Sequence, residues 1–363
     1  MRIQGRAQQG DFPVFIHHKY HLLNFIKNTA GKNFTGKFST PINGADDRLM
    51  CCTMSLTTKR EPANERVPRT ARTTIAAQPA RFLRSHYASS FGDRDYLLFI
   101  PEKQPRAKCP LIVMLHGCHQ DAEDFATGTR MNQHGLTHGC FVLYPQQSRL
   151  ANGARCWNWY ESAHQQREQG EPAIIADLTR DVLTHHAIAS ERVYVAGFSA
   201  GGAMAATLAV RYPELYAALG IHSGMPHGAA RNFMSALMAM QHGTMASYGA
   251  HPMHSRIPTI VFHGNEDNMV HATHAAQFLA NTSSRILPDD GELHRYIETV
   301  PRQLGLRGYT RTVQLGDDAR IFSEQWMVHG AGHAWSGGDA AGTHSDPYGP
   351  DASREMMRFF LEH

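Results

Sequence analysis

The stretch RVYVAGFSAGGAMAATLAVRYP, Arg192 to Pro213, decides how the rest of the chain is read. Gly197-Phe198-Ser199-Ala200-Gly201 spells G-x-S-x-G, a pentapeptide too short to carry weight alone. Its flanks carry more. Val193-Tyr194-Val195 is a β-branched and aromatic run of the kind that forms a buried strand. Ala203 to Arg211 is rich in Ala, Met and Leu, which are strong helix formers, and Pro213 stops the helix. A strand, a tight turn with serine at its apex and a helix make a nucleophile elbow. Gly197 and Gly201 lack a Cβ, so strand and helix can approach closely around the turn. The competing reading is a Gly-rich helix start that merely contains a serine. What separates the two is whether the chain also supplies a base and an acid.

Composition sets the frame. The chain has 363 residues, 42% hydrophobic and 18% charged. That suits one large α/β domain with extra segments, or two modest domains. No stretch is apolar for long enough to span a bilayer. The net charge of +3 hides an asymmetry: residues 1–90 hold fourteen Lys/Arg against five Asp/Glu, which leaves the remainder net acidic. The body therefore shows no nucleic-acid footprint. Residues 1–83 read as a basic, disordered extension ahead of a catalytic domain at 84–363. No apolar core of a secretory signal follows Met1-Arg2, although the acid-poor, Arg-containing segment is compatible with an organelle transit peptide. Met54 is an alternative start. The cysteines Cys51, Cys52, Cys109, Cys118, Cys140 and Cys156 are not spaced C-x-x-C and no H-E-x-x-H occurs, so neither a metal nor another cofactor is expected.

From about residue 92 the pattern becomes regular. Asp95–Ile100, Leu111–Leu115, Cys140–Tyr144, Ala217–Ser223, Thr259–Gly264 and Ser323–Gly330 read as strands. LIVML at 111–115 is a continuous apolar run, as expected of a parallel strand buried on both faces. Pro172–Ala187 has apolar residues at helical spacing, with Glu171 placed to favour the helix N-terminus. Asp351–His363 reads as a terminal helix. Strands alternating with helices predict an α/β fold: a mostly parallel central sheet flanked by helices. Residues 227–256, rich in Met and His, read as a small helical insertion over the sheet's C-terminal edge.

In such sheets the reacting groups gather beyond the carboxyl ends of the strands. His116-Gly117-Cys118 follows LIVML, where a second oxyanion donor belongs; the first would be the N–H of Ala200. Asn265-Glu266-Asp267 follows TIVFHG, and either carboxylate suits the role of orienting an imidazole. His333 lies in the Gly-rich loop after WMVHG. The chain order Ser, acid, His, each member following a strand, is that of an α/β-hydrolase fold.

Taken with LIVMLHGCHQDAEDFATGTRMN, RCWNWY, GEPAIIADLTRDV, VHGAGHAWSGG and DPYGPDASREMMRFF, these motifs resemble the catalytic domain of poly(3-hydroxybutyrate) depolymerase family esterases, to which feruloyl and acetylxylan esterases are related. The resemblance runs from about Arg84 to His363. It implies Ser199 as nucleophile, His333 as base, Asp267 rather than Glu266 as acid, and Cys118 with Ala200 at the oxyanion hole. It also implies a disulfide between Cys118 and Cys156, against the alternative of two buried thiols. His116, Trp157 and Trp335 are candidate substrate contacts and Trp159 a further one, although core packing is the default for any single aromatic. The expected partner is a small or oligomeric ester, with hydroxyalkanoate oligomers ahead of feruloyl or acetylxylan esters and of a non-catalytic binding role. The family is commonly secreted, and its polymer depolymerases commonly carry a separate polymer-binding domain; neither an export signal nor such a domain is legible in this chain, so soluble oligomers or small esters are expected as substrates rather than solid polymer.

Overall fold

A computed structural model describes residues 79–102, 108–243, 257–286, 294–316 and 320–363. Most of the expected N-terminal extension, residues 1–78, and part of the expected insertion, 244–256, lie outside the described residues.

The first elements are an antiparallel pair, β1 (Arg81–Ser89) and β2 (Gly92–Ile100). β1 begins three residues ahead of the domain start expected at 84. There follow β3 (Cys109–Leu115), β4 (Phe141–Pro145), β5 (Ile188–Phe198), β6 (Ala218–His222) and β7 (Thr259–Gly264), then β8 (Arg295–Val300), β9 (Tyr309–Leu315) and β10 (Ile321–Val328). Among the described residues these ten strands form one sheet in the order β1-β2-β4-β3-β5-β6-β7-β10-β9-β8. The six central strands, β4 to β10 in that order, run parallel; the pairs at both margins are antiparallel.

Period-two alternation sends the side chains of β3 to two separate cores. Leu111, Val113 and Leu115 join the core beneath Ile175, Leu178, Met204 and Leu208. These last residues lie on α3 (Gly170–His185) and α4 (Ala200–Arg211), as numbered after α1 (Ala122–Thr129) and α2 (Met131–His138). Ile112 and Met114 face the opposite core, with Phe125 of α1 and Met356, Phe359 and Phe360 of the terminal helix. That double burial is why LIVML is apolar throughout. In the chain α5 (Phe233–His242) precedes β7 and α6 (Thr273–Ile286) follows it, and α7 (Ala352–Leu361) closes the chain. α7 starts where the Asp351 side chain accepts from the Arg354 N–H at 2.9 Å, a standard N-cap. The Phe360 ring then stacks on Tyr194 of β5 at 5.0 Å.

Among the described residues, no helix is long and apolar enough to cross a membrane. Within residues 227–243, the described part of the expected insertion, α5 opens with a capping box made by Asn232 and Ser235. α1, α2, α6 and the antiparallel strands β1, β8 and β9 were not anticipated.

Candidate active site

The turn at the end of β5 places Ser199 at φ 55° and ψ −119°, backbone that a residue with a side chain seldom adopts. The surroundings enforce it. A Cβ on Gly197 would lie 2.3 Å from the Gly201 carbonyl carbon, and one on Gly201 would lie 2.1 Å from the Leu115 carbonyl oxygen. No L side chain fits either position, so both glycines of G-x-S-x-G are steric requirements. The Ser199 N–H donates to the His222 carbonyl at 2.9 Å, which fixes the turn against β6.

Two loops approach the serine from beyond β7 and β10. His333 Nε2 lies 2.9 Å from Ser199 Oγ, and His333 Nδ1 lies 2.7 Å from Asp267 Oδ2. Asp267, not Glu266, is the carboxylate that reaches the imidazole. Its other oxygen accepts the N–H groups of Met269 and Val270, each at 2.9 Å. Burial alone would raise its pKa; the hydrogen bond and charge of His333 and the Val270 N–H outweigh that and hold it at about 2. The carboxylate is thus ionised at neutral pH. A carboxylate in this place can accept from an imidazole Nδ1–H and turn Nε2 toward a hydroxyl.

The two loops are stitched to each other. Asn265 Oδ1 accepts the Gly330 N–H at 2.6 Å, and the Glu266 N–H donates to the Ala331 carbonyl at 3.0 Å. Arg307 hydrogen-bonds the Gly330 carbonyl and the Asp346 carboxylate. On the far side, Gln120 Nε2 donates to the Thr343 carbonyl at 3.0 Å, tying the oxyanion turn to the loop beyond His333. Asn265, Arg307 and Gln120 escaped the sequence reading, which looked for reacting groups and not for what holds them.

At the end of β3, Cys118 is bonded to Cys156, with Cα atoms 4.2 Å apart. The bond joins the oxyanion turn to the CWNW segment. Among the described residues, neither the Cys118 N–H nor the Ala200 N–H meets an acceptor. Cys118 follows β3 and Ala200 opens α4 directly after Ser199.

The three candidate substrate contacts are placed differently from expectation. His116, Trp157 and Trp335 are at most 2% exposed. Trp157 Nε1 donates to the His116 carbonyl at 3.1 Å, and Trp335 Nε1 donates to Ser353 Oγ at 3.1 Å. His116 receives the Gln147 N–H on Nε2 at 3.0 Å and meets the Gly117 carbonyl with Nδ1 at 2.8 Å. Burial pushes its pKa down to about 4, so it is neutral. These side chains stand behind the wall of the site and not on it. Trp159 is 6% exposed and shares a core with Trp157, whereas Trp335 lies in the opposite core.

Glu171 also has a different role from the helix-end charge expected of it. It is 1% exposed, accepts from the Asn158 N–H at 2.7 Å and Asn158 Nδ2 at 2.8 Å, and is bonded by Gln147 Nε2. Arg94 supplies the countercharge at 3.5 Å. A buried carboxylate with this many donors organises the loop from Gln147 to Asn158 that backs the oxyanion turn.

The family described as Esterase PHB depolymerase matches residues 94–288. The poly(3-hydroxyalkanoate) depolymerase C of Paucimonas lemoignei is 35% identical over 169 residues, 46% of this chain and 40% of that protein. The chain thus matches less than half the length of that relative. The feruloyl esterase B of Neurospora crassa is 29% identical over 253 residues, 65% of this chain and 81% of the relative. Among solved structures, the acetyl xylan esterase from Aspergillus awamori superposes with a TM-score of 0.58 at 17% identity, covering 77% of this chain and all of that one. That likeness is one of fold, the α/β-hydrolase fold. With more than half of its length matched, the chain belongs to the PHB depolymerase family of esterases.

Proposed function

We propose that this chain is a serine carboxylesterase that works through an acyl-enzyme, and that residues 84–363 form its catalytic domain. The observation that carries the reading is the unbroken line from Ser199 Oγ through His333 to Asp267, at 2.9 and 2.7 Å. His333 Nε2 takes the hydroxyl proton as Ser199 Oγ attacks the ester carbonyl. The N–H groups of Cys118 and Ala200 receive the developing oxyanion, a contribution of roughly 3–4 kcal/mol per donor in comparable sites. The imidazolium returns its proton to the leaving alcohol. The same imidazole then activates water to cleave the acyl-enzyme.

For the substrate, we favour soluble 3-hydroxyalkanoate oligomers or similar short-chain esters, in line with the depolymerase likeness. A second reading, a feruloyl or acetylxylan ester, is favoured by the longer coverage of the feruloyl esterase relative. The test is hydrolysis of p-nitrophenyl acetate, butyrate and octanoate, 3-hydroxybutyrate oligomers, methyl ferulate and acetylated xylan by wild type and Ser199→Ala. Loss of about 10⁴-fold or more in kcat is expected for the variant. The preferred substrate then selects the subfamily. A folded wild type inactive on every ester would overturn the catalytic reading in favour of a binding role.

A further inference from the structure

A second histidine lies beneath the acid. His263 is the penultimate residue of β7 and is fully buried. Its Nε2 is 2.9 Å from the Val270 carbonyl oxygen and 3.4 Å from Asp267 Oδ2. Both neighbours are acceptors, so Nε2 carries the hydrogen and Nδ1 the lone pair. Nδ1 is buried and meets no donor among the described residues. A histidine kept for its packing hydrogen bonds would be expected to use both nitrogens. This one gives its single polar hydrogen to the Val270 carbonyl, on the loop whose N–H groups hold the acid, with Asp267 Oδ2 3.4 Å away.

We infer that His263 is a positioning residue for the reaction: its Nε2–H bonds the Val270 carbonyl and so steadies the loop whose N–H groups grip Asp267 Oδ1, while its ring edge lies 3.4 Å from Oδ2, and together these hold the carboxylate in the plane that His333 needs. The inference rests on the serine esterase reading above.

Asp267 has two sets of donors. The backbone N–H groups of Met269 and Val270 hold Oδ1 and His333 meets Oδ2, while the His263 Nε2–H holds the Val270 carbonyl with Oδ2 3.4 Å away. If the loop shifts, the carboxylate tilts with its Oδ1 anchor. The bond from His263 to Val270 fixes that anchor from below, and the nearby Nε2–H dipole draws negative charge away from the side facing His333.

The role requires His263 to stay neutral. Burial is the largest influence and lowers its pKa to about 4, against the Val270 carbonyl and the Asp267 charge, which raise it. The other titratable groups facing it are His333 and His274, both of which disfavour its charged form, and the buried His222 beyond. His263 is therefore an uncharged donor at neutral pH, and it takes up a second proton only near pH 4.

The test uses His263→Leu, His263→Gln and His263→Asn beside wild type and Ser199→Ala, with kcat, KM and the pH profile of kcat/KM measured on one p-nitrophenyl ester. Glutamine places an N–H close to the position of Nε2; leucine has none, and the shorter asparagine falls short of the Val270 carbonyl. For leucine, kcat is expected to fall about tenfold with KM nearly unchanged, the scale of losing one outer hydrogen bond. The acid limb is expected to move upward by about 0.5–1 pH unit, because charge released to Oδ2 favours the protonated base. Asparagine should follow leucine, and glutamine should stay within about threefold of wild type with an unmoved limb. If leucine fails to fold, the contrast between asparagine and glutamine carries the same information. Equal losses in glutamine and asparagine with no movement of the limb, or full activity in leucine, overturn the inference and leave the esterase reading intact. An inactive wild type overturns both.

Discussion

The turn that carries Ser199 and the loop that carries His333 meet at 2.9 Å, yet they are held by different physics. The elbow is shaped by exclusion. Gly197 and Gly201 leave no room for a single added carbon, and the backbone at Ser199 is forced to φ 55°. The His333 loop is shaped by tethers: Asn265 and Arg307 on Gly330, Glu266 on Ala331, and Gln120 on Thr343. Exclusion acts all or none, because closely packed backbone cannot yield by a fraction of a bond. Tethers are graded, since each hydrogen bond contributes about 0.5–1.5 kcal/mol net and its loss lets the loop drift and not collapse. Changes in the two regions should therefore fail in different ways.

The largest effect is expected from Gly201→Ala. The new methyl would sit 2.1 Å from the Leu115 carbonyl oxygen, so β3 and α4 must separate at the centre of the sheet. Overpacking of this kind costs about 3 kcal/mol or more, and here the displaced atoms are backbone. The expected outcome is poor soluble yield, or a large fall in Tm, with no esterase activity in whatever folds. A folded and active Gly201→Ala protein would mean that the elbow tolerates movement and that the contrast with the tethered loop is wrong.

The turn at Gly117-Cys118, the proposed oxyanion turn, stands between the two regions and uses both devices. A Cβ on Gly117 would meet the Phe198 ring at 2.7 Å, whereas Cys118 next to it is tethered covalently to Cys156. Replacing both cysteines by alanine opens a closed loop spanning 38 positions. The chain-entropy model gives about 4 kcal/mol for a loop of this size, and measured values are often smaller. For a domain of this length that corresponds to a Tm lower by roughly 6–12 °C, read by calorimetry. Activity below the transition should fall less than stability does, because Glu171 and its donors continue to organise the same segment. A double variant with unchanged Tm would show that this buried network, and not the bond, fixes the turn.

The same division explains what the sequence made legible. The elbow, the parallel strands and the order Ser199, Asp267, His333 rest on short-range patterns: a strand, two glycines at fixed offsets and a helix. An apolar run such as LIVML reports its own double burial. The choice of Asp267 over Glu266 came from family resemblance and not from the residues, since both carboxylates fit the chemistry. Only the course of the loop decides that Oδ2 of Asp267 faces His333 while its Oδ1 takes two backbone N–H groups. Partners far apart in sequence left no local trace. Glu171 looked like an ordinary helix-end charge because its donors, Gln147 and Asn158, lie 24 and 13 residues away. Trp157 and Trp335 looked like pocket aromatics because a tryptophan next to a catalytic motif reads the same in sequence whether it faces substrate or packs behind the wall. The antiparallel strands β8 and β9 were missed for a related reason. β8 is mostly exposed and so lacks the alternation that marks a half-buried strand.

The smallest and most diagnostic change is Asn265→Ala. Its side-chain oxygen accepts one N–H, that of Gly330, three residues before His333. The group is exposed, so water replaces the lost partner and stability should change by less than about 1 kcal/mol. The position of the imidazole is a different matter. A drift of about 1 Å in a reacting group can cost on the order of 10²-fold in rate, and with Arg307 still holding the Gly330 carbonyl the expected fall in kcat is nearer tenfold. KM should be nearly unchanged, because Asn265 contacts the loop and not the ester. Asn265→Asp keeps an acceptor at the same place and should recover most of the rate. This tether would then control rate without controlling stability, the converse of the glycines in the elbow, where the two cannot be separated. If Asn265→Ala instead lowers Tm and kcat together, the loop and the sheet form one cooperative unit, and the graded behaviour assigned to the His333 side does not hold.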